Sequence, residues 1–291
     1  MNDCHDKCLI SDSNQLEPLK GYEKDYLVKS HPVGFVFCAR KPTNAELKRH
    51  YAHYPENPPL SPITLSRYRV LLDEFERYRK TGRLLDIGCG TGFFLEEAKK
   101  KGWEVFGTEF NESYVSICQG KGINMKQGSL CSNWYPSGFF DVIVSFEVIE
   151  HIYDPKEQVQ IMFRSLRCGG LLHFTTPNFN AIERFILGPK YNVIQYPEHL
   201  SYYTKRTIHY LMTRSGFKRK KLITTGISIT RLKAGFINGG KLQNREGNLD
   251  EIVRDKLENS RLLNLIKTIV NVFLDFFTLG NALKGWYVKP A

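Results

Sequence analysis

From Leu84 onward, short apolar runs alternate with stretches of helical spacing, the pattern that builds a parallel sheet covered by helices. Residues 84–87, 103–108, 123–126, 141–146 and 171–175 read as five strands, with helices over 93–101 and 113–121 between the first three. Asp154 can cap a further helix that has Pro155 at its first position and runs to Arg167, where Cys168-Gly169-Gly170 stops it. Thr204 caps a short helix over 205–214 that Gly216 ends, and residues 217–228 and 282–289 supply a sixth and a seventh strand. The expected fold class is α/β, a doubly wound, seven-stranded Rossmann-like sheet. It carries an N-terminal extension (1–59) and a helical insert (231–281), which leaves 60–230 and 282–291 for the sheet domain.

Within that insert, the polar residues Asn264, Lys267, Asn271, Asp275 and Thr278 recur at steps of three and four, and no apolar run is long enough for a span, which needs about 20 residues. The segment is expected to be an amphipathic helix, packed on the sheet, on a second copy or on a membrane face. Composition adds two limits. With 42% hydrophobic and 24% charged residues the chain is globular rather than disordered, and seven scattered cysteines make no disulfide framework. A reducing cytosol is expected, as is the lack of a signal peptide, because the first residues are polar and acidic.

The net charge of +11 is not spread evenly. Residues 1–59, 60–180 and 246–291 each balance to zero, so the whole surplus lies in 181–245, where only Glu183 and Glu198 are acidic. Lys218-Arg219-Lys220-Lys221, with Lys205, Arg206 and Arg214, is either a solvated face or the partner of something anionic.

The first strand runs into Asp86-Ile87-Gly88-Cys89-Gly90-Thr91-Gly92, which opens a helix. Glycines there let the backbone approach a ligand, and the helix start offers unpaired N–H groups. A dinucleotide fingerprint would need glycine at 93, where Phe93 stands, and no Gly-Lys-Ser/Thr follows to make a phosphate loop.

At this point the sequence resembles the class I S-adenosylmethionine-dependent methyltransferases. The resemblance covers about 80–220 and rests on five features in order: the segment 85–92, Glu109 ending strand two, Phe140-Asp141-Val142-Ile143, Val148-Ile149-Glu150-His151, and Gly169-Gly170. It implies S-adenosyl-L-methionine as cofactor. The implied cofactor-binding residues are Asp86, Gly88, Gly90 and Gly92 in the loop, Glu109 toward ribose hydroxyls, and Ser129 with Leu130 beside adenine, Ser129 standing where the family usually has an acid.

Methyl transfer from a sulfonium asks the protein to align a nucleophile and take its proton. The candidate catalytic bases are His199 and His151, with Glu147, Glu150 and Glu198 as secondary candidates. Tyr196-Pro197-Glu198-His199-Leu200 resembles the acceptor-side segment of a subgroup that methylates sugars, quinones and other small molecules. The expected activity is O-methylation of a small or lipid-linked acceptor such as a sugar. The basic stretch would meet a phosphate on that acceptor, an anionic membrane surface or nucleic acid. An RNA methyltransferase and a cofactor-binding scaffold without chemistry are the alternatives.

Cys4, Cys8, His31 and Cys38 look like an eroded zinc-binding head, with Ser30 and Val33 where relatives in sugar methylation carry cysteines, so no metal is expected. Residues 41–47, with Tyr51 and Tyr54, also follow those relatives and imply a helical lid.

Overall fold

Residues 4–43, 45–47, 60–237 and 261–291 are described by a computed structural model; Tyr51 and Tyr54 lie outside them. Three short strands come first: β1 (Leu16–Pro18), β2 (Leu27–Ser30) and β3 (Val36–Cys38), paired antiparallel. The β2–β3 connection closes through Ser30 and Phe35, with Gly34 at φ +78 supplying the left-handed turn. Helix α1 (Pro62–Phe75) follows, its N-terminus met by the Ser61 hydroxyl, which accepts from the Thr64 N–H at 3.4 Å.

The alternating region then forms β4 (Arg83–Ile87), α2 (Phe93–Lys100), β5 (Glu104–Glu109), α3 (Glu112–Gly120), β6 (Asn124–Gln127), β7 (Phe140–Phe146), α4 (Pro155–Ser165) and β8 (Leu166–Pro177). After these come α5 (Ile182–Leu187), β9 (Ser201–Tyr202), α6 (Lys205–Arg214), β10 (Lys218–Thr225), α7 (Ile229–Ile237), α8 (Arg261–Phe276) and β11 (Ala282–Val288). The main sheet has seven strands in the order β10-β11-β8-β7-β4-β5-β6, the Rossmann-like arrangement expected. The pairs β4–β5, β5–β6, β4–β7 and β7–β8 are parallel. The chain leaves β4 in one direction and returns on its other side at β7, so the switch point of the sheet lies between them. In such sheets ligands bind at the carboxyl ends of the strands at that crevice.

Two boundaries differ from expectation for a physical reason. Helix α4 ends at Ser165, and Gly169 and Gly170 lie inside β8 rather than stopping the helix. A Cβ at Gly170 would stand 2.9 Å from the Arg167 carbonyl and 3.0 Å from that of Asp141, so glycine serves close backbone approach where the β7–β8 pairing shifts register.

The chain packs as two compact units. One holds the described residues of Lys48–Thr175, His209–Lys221 and Gly285–Ala291; its core is built on the fully buried Leu84, Leu85, Val142, Ile143, Leu172 and Phe174. The other holds those of Met1–Leu47, Thr176–Ile208 and Leu222–Lys284. There β3 pairs β9, and Leu27, Val36, Tyr191, Leu200 and Tyr202 make the core.

Helix α8 belongs to this second unit and is mounted in the reverse of the usual sense. Its polar stripe faces protein: Asn271 accepts from the Gly226 N–H at 2.8 Å, and Asp275 from the Thr224 N–H and Lys205 ammonium, each at 2.7 Å. Its apolar stripe is exposed.

Candidate active site

The carboxyl ends of β4, β5 and β7 gather most of the residues singled out in the sequence. The Gly88 and Cys89 N–H groups donate to the Thr108 carbonyl at 2.8 and 3.1 Å, which folds the glycine loop back over β5. Gly88 has φ +69, and a Cβ there would lie 2.6 Å from Val148 Cγ2. Gly92, at φ +80, sits at the start of α2, and its Cβ would lie 2.8 Å from both Cys118 Sγ and Ile123 Cδ1. These two positions accept no side chain as built. Lys121 pins the far side of the loop by donating to the Thr91 carbonyl at 2.8 Å while pairing with Glu96.

Asp86 is buried beneath the loop, and its Oδ1 has no hydrogen-bond partner among the described residues. Burial, and next the Glu109 carboxylate, hold its acid well above the usual carboxylate range. A buried carboxyl oxygen without a partner is a place for a ligand's donor. Tyr68 of α1, which the sequence reading passed over, belongs to the same surroundings: burial and then the Asp86 charge push its hydroxyl up to about 12. Its ring packs against Phe94 and Phe146. The signal available for it was the Ser61-Pro62 helix start.

Glu109 is more committed than expected. Its Oε2 accepts from the Gly90 N–H at 3.0 Å, and its Oε1 from the N–H groups of Phe110 and Asn111 at 2.7 and 3.0 Å. Of the roughly four acceptor positions of a carboxylate, three are occupied. Two hydrogen bonds from a ribose would therefore exceed what remains, and one fits. The Gly128 N–H donates to the Glu109 carbonyl at 2.8 Å, which brings the Ser129 loop alongside. Ser129 is exposed, whereas Leu130 is buried with its carbonyl held by Gln158. Phe110, 67% exposed next to Glu109, is a second residue the sequence reading missed.

The β7 end supplies the remaining candidates of this unit. Glu147 has φ +53, unusual for a residue with a side chain and common at functional turns. The His151 N–H donates to the Val148 carbonyl at 2.9 Å, and Val148 in turn abuts Gly88, so the Val148–His151 turn flanks the glycine loop. Glu150 is buried, with an oxygen 3.9 Å from His151 Nε2. Asp141, one of the family marks, lies at the other end of the strand. It is fully buried, accepts from the N–H groups of Lys80, Thr81 and Gly82 at 2.7 to 2.8 Å, and pairs with Arg167. Burial alone would raise its acid, but these bonds outweigh it and hold it below the usual range. Its role is structural.

His199 lies in the second unit. Its Nδ1 is 2.6 Å from the Val193 carbonyl, so Nδ1 carries a proton, which in the neutral ring leaves the lone pair on Nε2. Its own carbonyl accepts from the Tyr202 hydroxyl at 3.0 Å, and its N–H donates to the Gln195 carbonyl at 2.9 Å. In the same unit His31 Nε2 meets Glu17 at 2.9 Å, while the Cys38 thiol points to the Asp25 and Arg40 carbonyls and is pushed up to about 12, chiefly by burial.

The basic run 218–221 occupies the first half of β10, the terminal strand of the seven, and all four side chains are exposed. Lysines on an edge strand discourage pairing with another chain.

Similarity to known proteins follows the same geometry. A family model described as a methyltransferase domain matches residues 64–221, more than half of the chain. A probable S-adenosylmethionine-dependent methyltransferase of Mycolicibacterium smegmatis is 33% identical over 104 residues, 35% of this chain and 40% of that protein. A ubiquinone biosynthesis O-methyltransferase of Pseudomonas fluorescens is 29% identical over 113 residues, 36% of this chain and 49% of that protein. The chain thus spans about half the length of the curated relatives it matches. Among solved structures, a SAM-dependent methyltransferase from Archaeoglobus fulgidus superposes with TM-score 0.50 at 20% identity, over 77% of this chain and 94% of that one. Phosphoethanolamine N-methyltransferase 2 of Haemonchus contortus superposes with TM-score 0.50 at 17% identity, over 78% of this chain and 53% of that one. The family match, on a seven-stranded sheet whose switch point holds two glycines without room for a side chain and a buried carboxyl oxygen with no hydrogen-bond partner among the described residues, establishes that the chain belongs to the methyltransferase domain family, whose cofactor is S-adenosylmethionine.

Proposed function

We propose that this protein transfers a methyl group from S-adenosylmethionine to an oxygen of a small or lipid-linked acceptor, such as a sugar, that carries phosphate. The observation that carries the reading is the tautomer of His199. With Nδ1–H held by Val193, Nε2 has the lone pair that a general base needs, and a hydroxyl acceptor is the nucleophile that most needs its proton removed. The similarity to proteins named ubiquinone biosynthesis O-methyltransferase points to oxygen as well.

S-adenosylmethionine supplies the electrophilic methyl when bound; the chain binds, orients and accepts the proton. Gly88, Gly90 and Gly92 let the backbone close on the cofactor, and the Asp86 oxygen without a partner takes the ammonium of its amino acid end. Glu109 takes one ribose hydroxyl while it orders the loop through Gly90. Ser129, Leu130 and the exposed Phe110 border the adenine. His151 borders the reacting end from the β7 turn. The phosphate reading rests on Arg184, Lys190, Arg206 and Arg214, in a stretch, 181–245, whose only acids are Glu198 and the buried Glu183.

Transfer of radiolabelled methyl to phosphate-bearing sugars, lipid extracts and RNA tests this. Label is expected in a sugar or lipid fraction, and His199→Gln is expected to lose about 10²- to 10⁴-fold in turnover with unchanged cofactor affinity. Label in RNA alone, or full activity in that variant, would overturn it.

A further inference from the structure

Helix α8 presents apolar residues to solvent while hydrogen bonds hold its polar stripe against β10 and the turn after it. Leu265, Ile269, Val272, Phe273, Phe276 and Phe277 are all exposed, Val272 by 66% and Phe276 by 79%. These positions recur at steps of three and four along one face, and no charged residue interrupts them. The surface does not end with α8. Its Asn271 bonds to Gly226, directly ahead of the exposed Ile227 and Ile229 of the α7 region, and the Leu279 carbonyl accepts from Ile182 at the start of α5 at 2.9 Å. Phe185 and Ile186 of α5 and Phe236 of α7 are exposed too, and Leu187 packs against Gly235 where these helices meet. Three helices tied together by these contacts thus each expose large apolar side chains, and exposed apolar side chains gathered in one region mark an interaction surface.

Charge decides what covers it. Helices α5 and α7 carry Arg184, Arg231 and Lys233, and the only acids of the three helices are Glu183 and Asp275. Both acids are already engaged: Glu183 is buried and accepts from the Ser228 N–H at 2.7 Å, and Asp275 pairs with Lys205. A two-fold contact between identical faces would set these cations against themselves, whereas an anionic lipid surface attracts them and takes up the apolar side chains. No helix among the described residues is long and apolar enough to cross a membrane, so the contact is one that lies on the surface.

We propose that the faces of α5, α7 and α8 form an interfacial docking surface for an anionic membrane. This placement is independent of the acceptor's identity, although it would bring a lipid-linked acceptor to the protein. The test is flotation of the full chain with vesicles of phosphatidylcholine alone and of phosphatidylcholine with phosphatidylglycerol. Binding to the anionic vesicles is expected to exceed binding to the neutral ones by at least about tenfold and to weaken with salt. Phe273→Ser with Phe276→Ser, both on the exposed face, should lower anionic-vesicle binding at least about tenfold, and Lys233→Glu should lower it in the same direction. Calorimetry of S-adenosylhomocysteine binding and the melting temperature should be unchanged in these variants. Absence from both floats, or equal binding by the double serine variant, overturns the proposal. So does a wild-type dimer that the serine variant turns into a monomer without any vesicle binding, which would assign the face to a second copy.

Discussion

Asp141→Asn removes one charge while leaving volume and an acceptor oxygen in place, at a site where four donors converge. The wild-type carboxylate accepts from the N–H groups of Lys80, Thr81 and Gly82 and pairs with Arg167, whose side chain is only 14% exposed. A hydrogen bond to a charged group contributes about 1.5–3 kcal/mol and a neutral one about 0.5–1.5, so neutralising the acceptor forfeits about 1 kcal/mol per bond, about 4 in all. That falls within the roughly 3–5 kcal/mol expected when one member of a buried ion pair is lost. For a domain of this size each kcal/mol corresponds to about 2–4 °C, so the melting temperature should fall by about 8–16 °C. The pH dependence adds a second readout. Because the folded-state acid is held below its ordinary value of 3.8, its contribution is fully present above that value and is lost as pH falls through the folded pKa. Denaturant unfolding of both proteins from neutral pH down through the ordinary aspartate range should show a steeper loss in the wild type than in the variant. A change under about 1 kcal/mol at neutral pH, or parallel pH profiles, would refute the assignment of Asp141 as the clamp of the β4 entrance.

Two further outcomes follow from the glycine loop. Gly88→Ala places a Cβ at φ +69 against Val148, which costs about 1–2 kcal/mol for the backbone and about 1–3 for overpacking. Calorimetry should show at least about tenfold weaker S-adenosylhomocysteine binding, with Val148→Ala restoring part of the packing loss; unchanged affinity would remove the loop from the site. Asp86 is held protonated toward higher pH in the ligand-free protein, by burial first and by Glu109 second, and a ligand ammonium favours its ionised form. Binding should therefore release a proton below that raised pKa and tighten as pH rises, by up to about tenfold per pH unit. Titrations in buffers of unlike ionisation heat measure this, and equal proton release in Asp86→Asn would assign the proton elsewhere.

The sheet was legible because buried parallel strands are short apolar runs between helices, and each of the seven lies within a few residues of where that pattern puts it. The three N-terminal strands were not. They are three or four residues long and carry Glu17, Pro18 and Lys29, so no alternation stands out, and their partner β9 is distant in sequence. Amphipathicity identified α8 but could not say which stripe faces inward; that depends on β10 offering the Thr224 and Gly226 N–H groups to Asp275 and Asn271. Motif spacing likewise brought Glu109 to the loop without showing that its carboxylate already holds three N–H donors. The run 218–221 reads from sequence either as a solvated face or as the partner of something anionic, and its place on a terminal strand supplies a further reason for the charge.

The most direct test of the cofactor site is calorimetric titration of S-adenosylhomocysteine into the full chain and into Glu109→Ala, with melting temperatures recorded for both. The wild type is expected to bind, and the variant to bind about 10- to 100-fold more weakly, the equivalent of one charge-assisted hydrogen bond of about 1.5–3 kcal/mol. No binding heat in the wild type, or the same affinity in a folded Glu109→Ala protein, would contradict a cofactor held at the β4–β5 carboxyl edge.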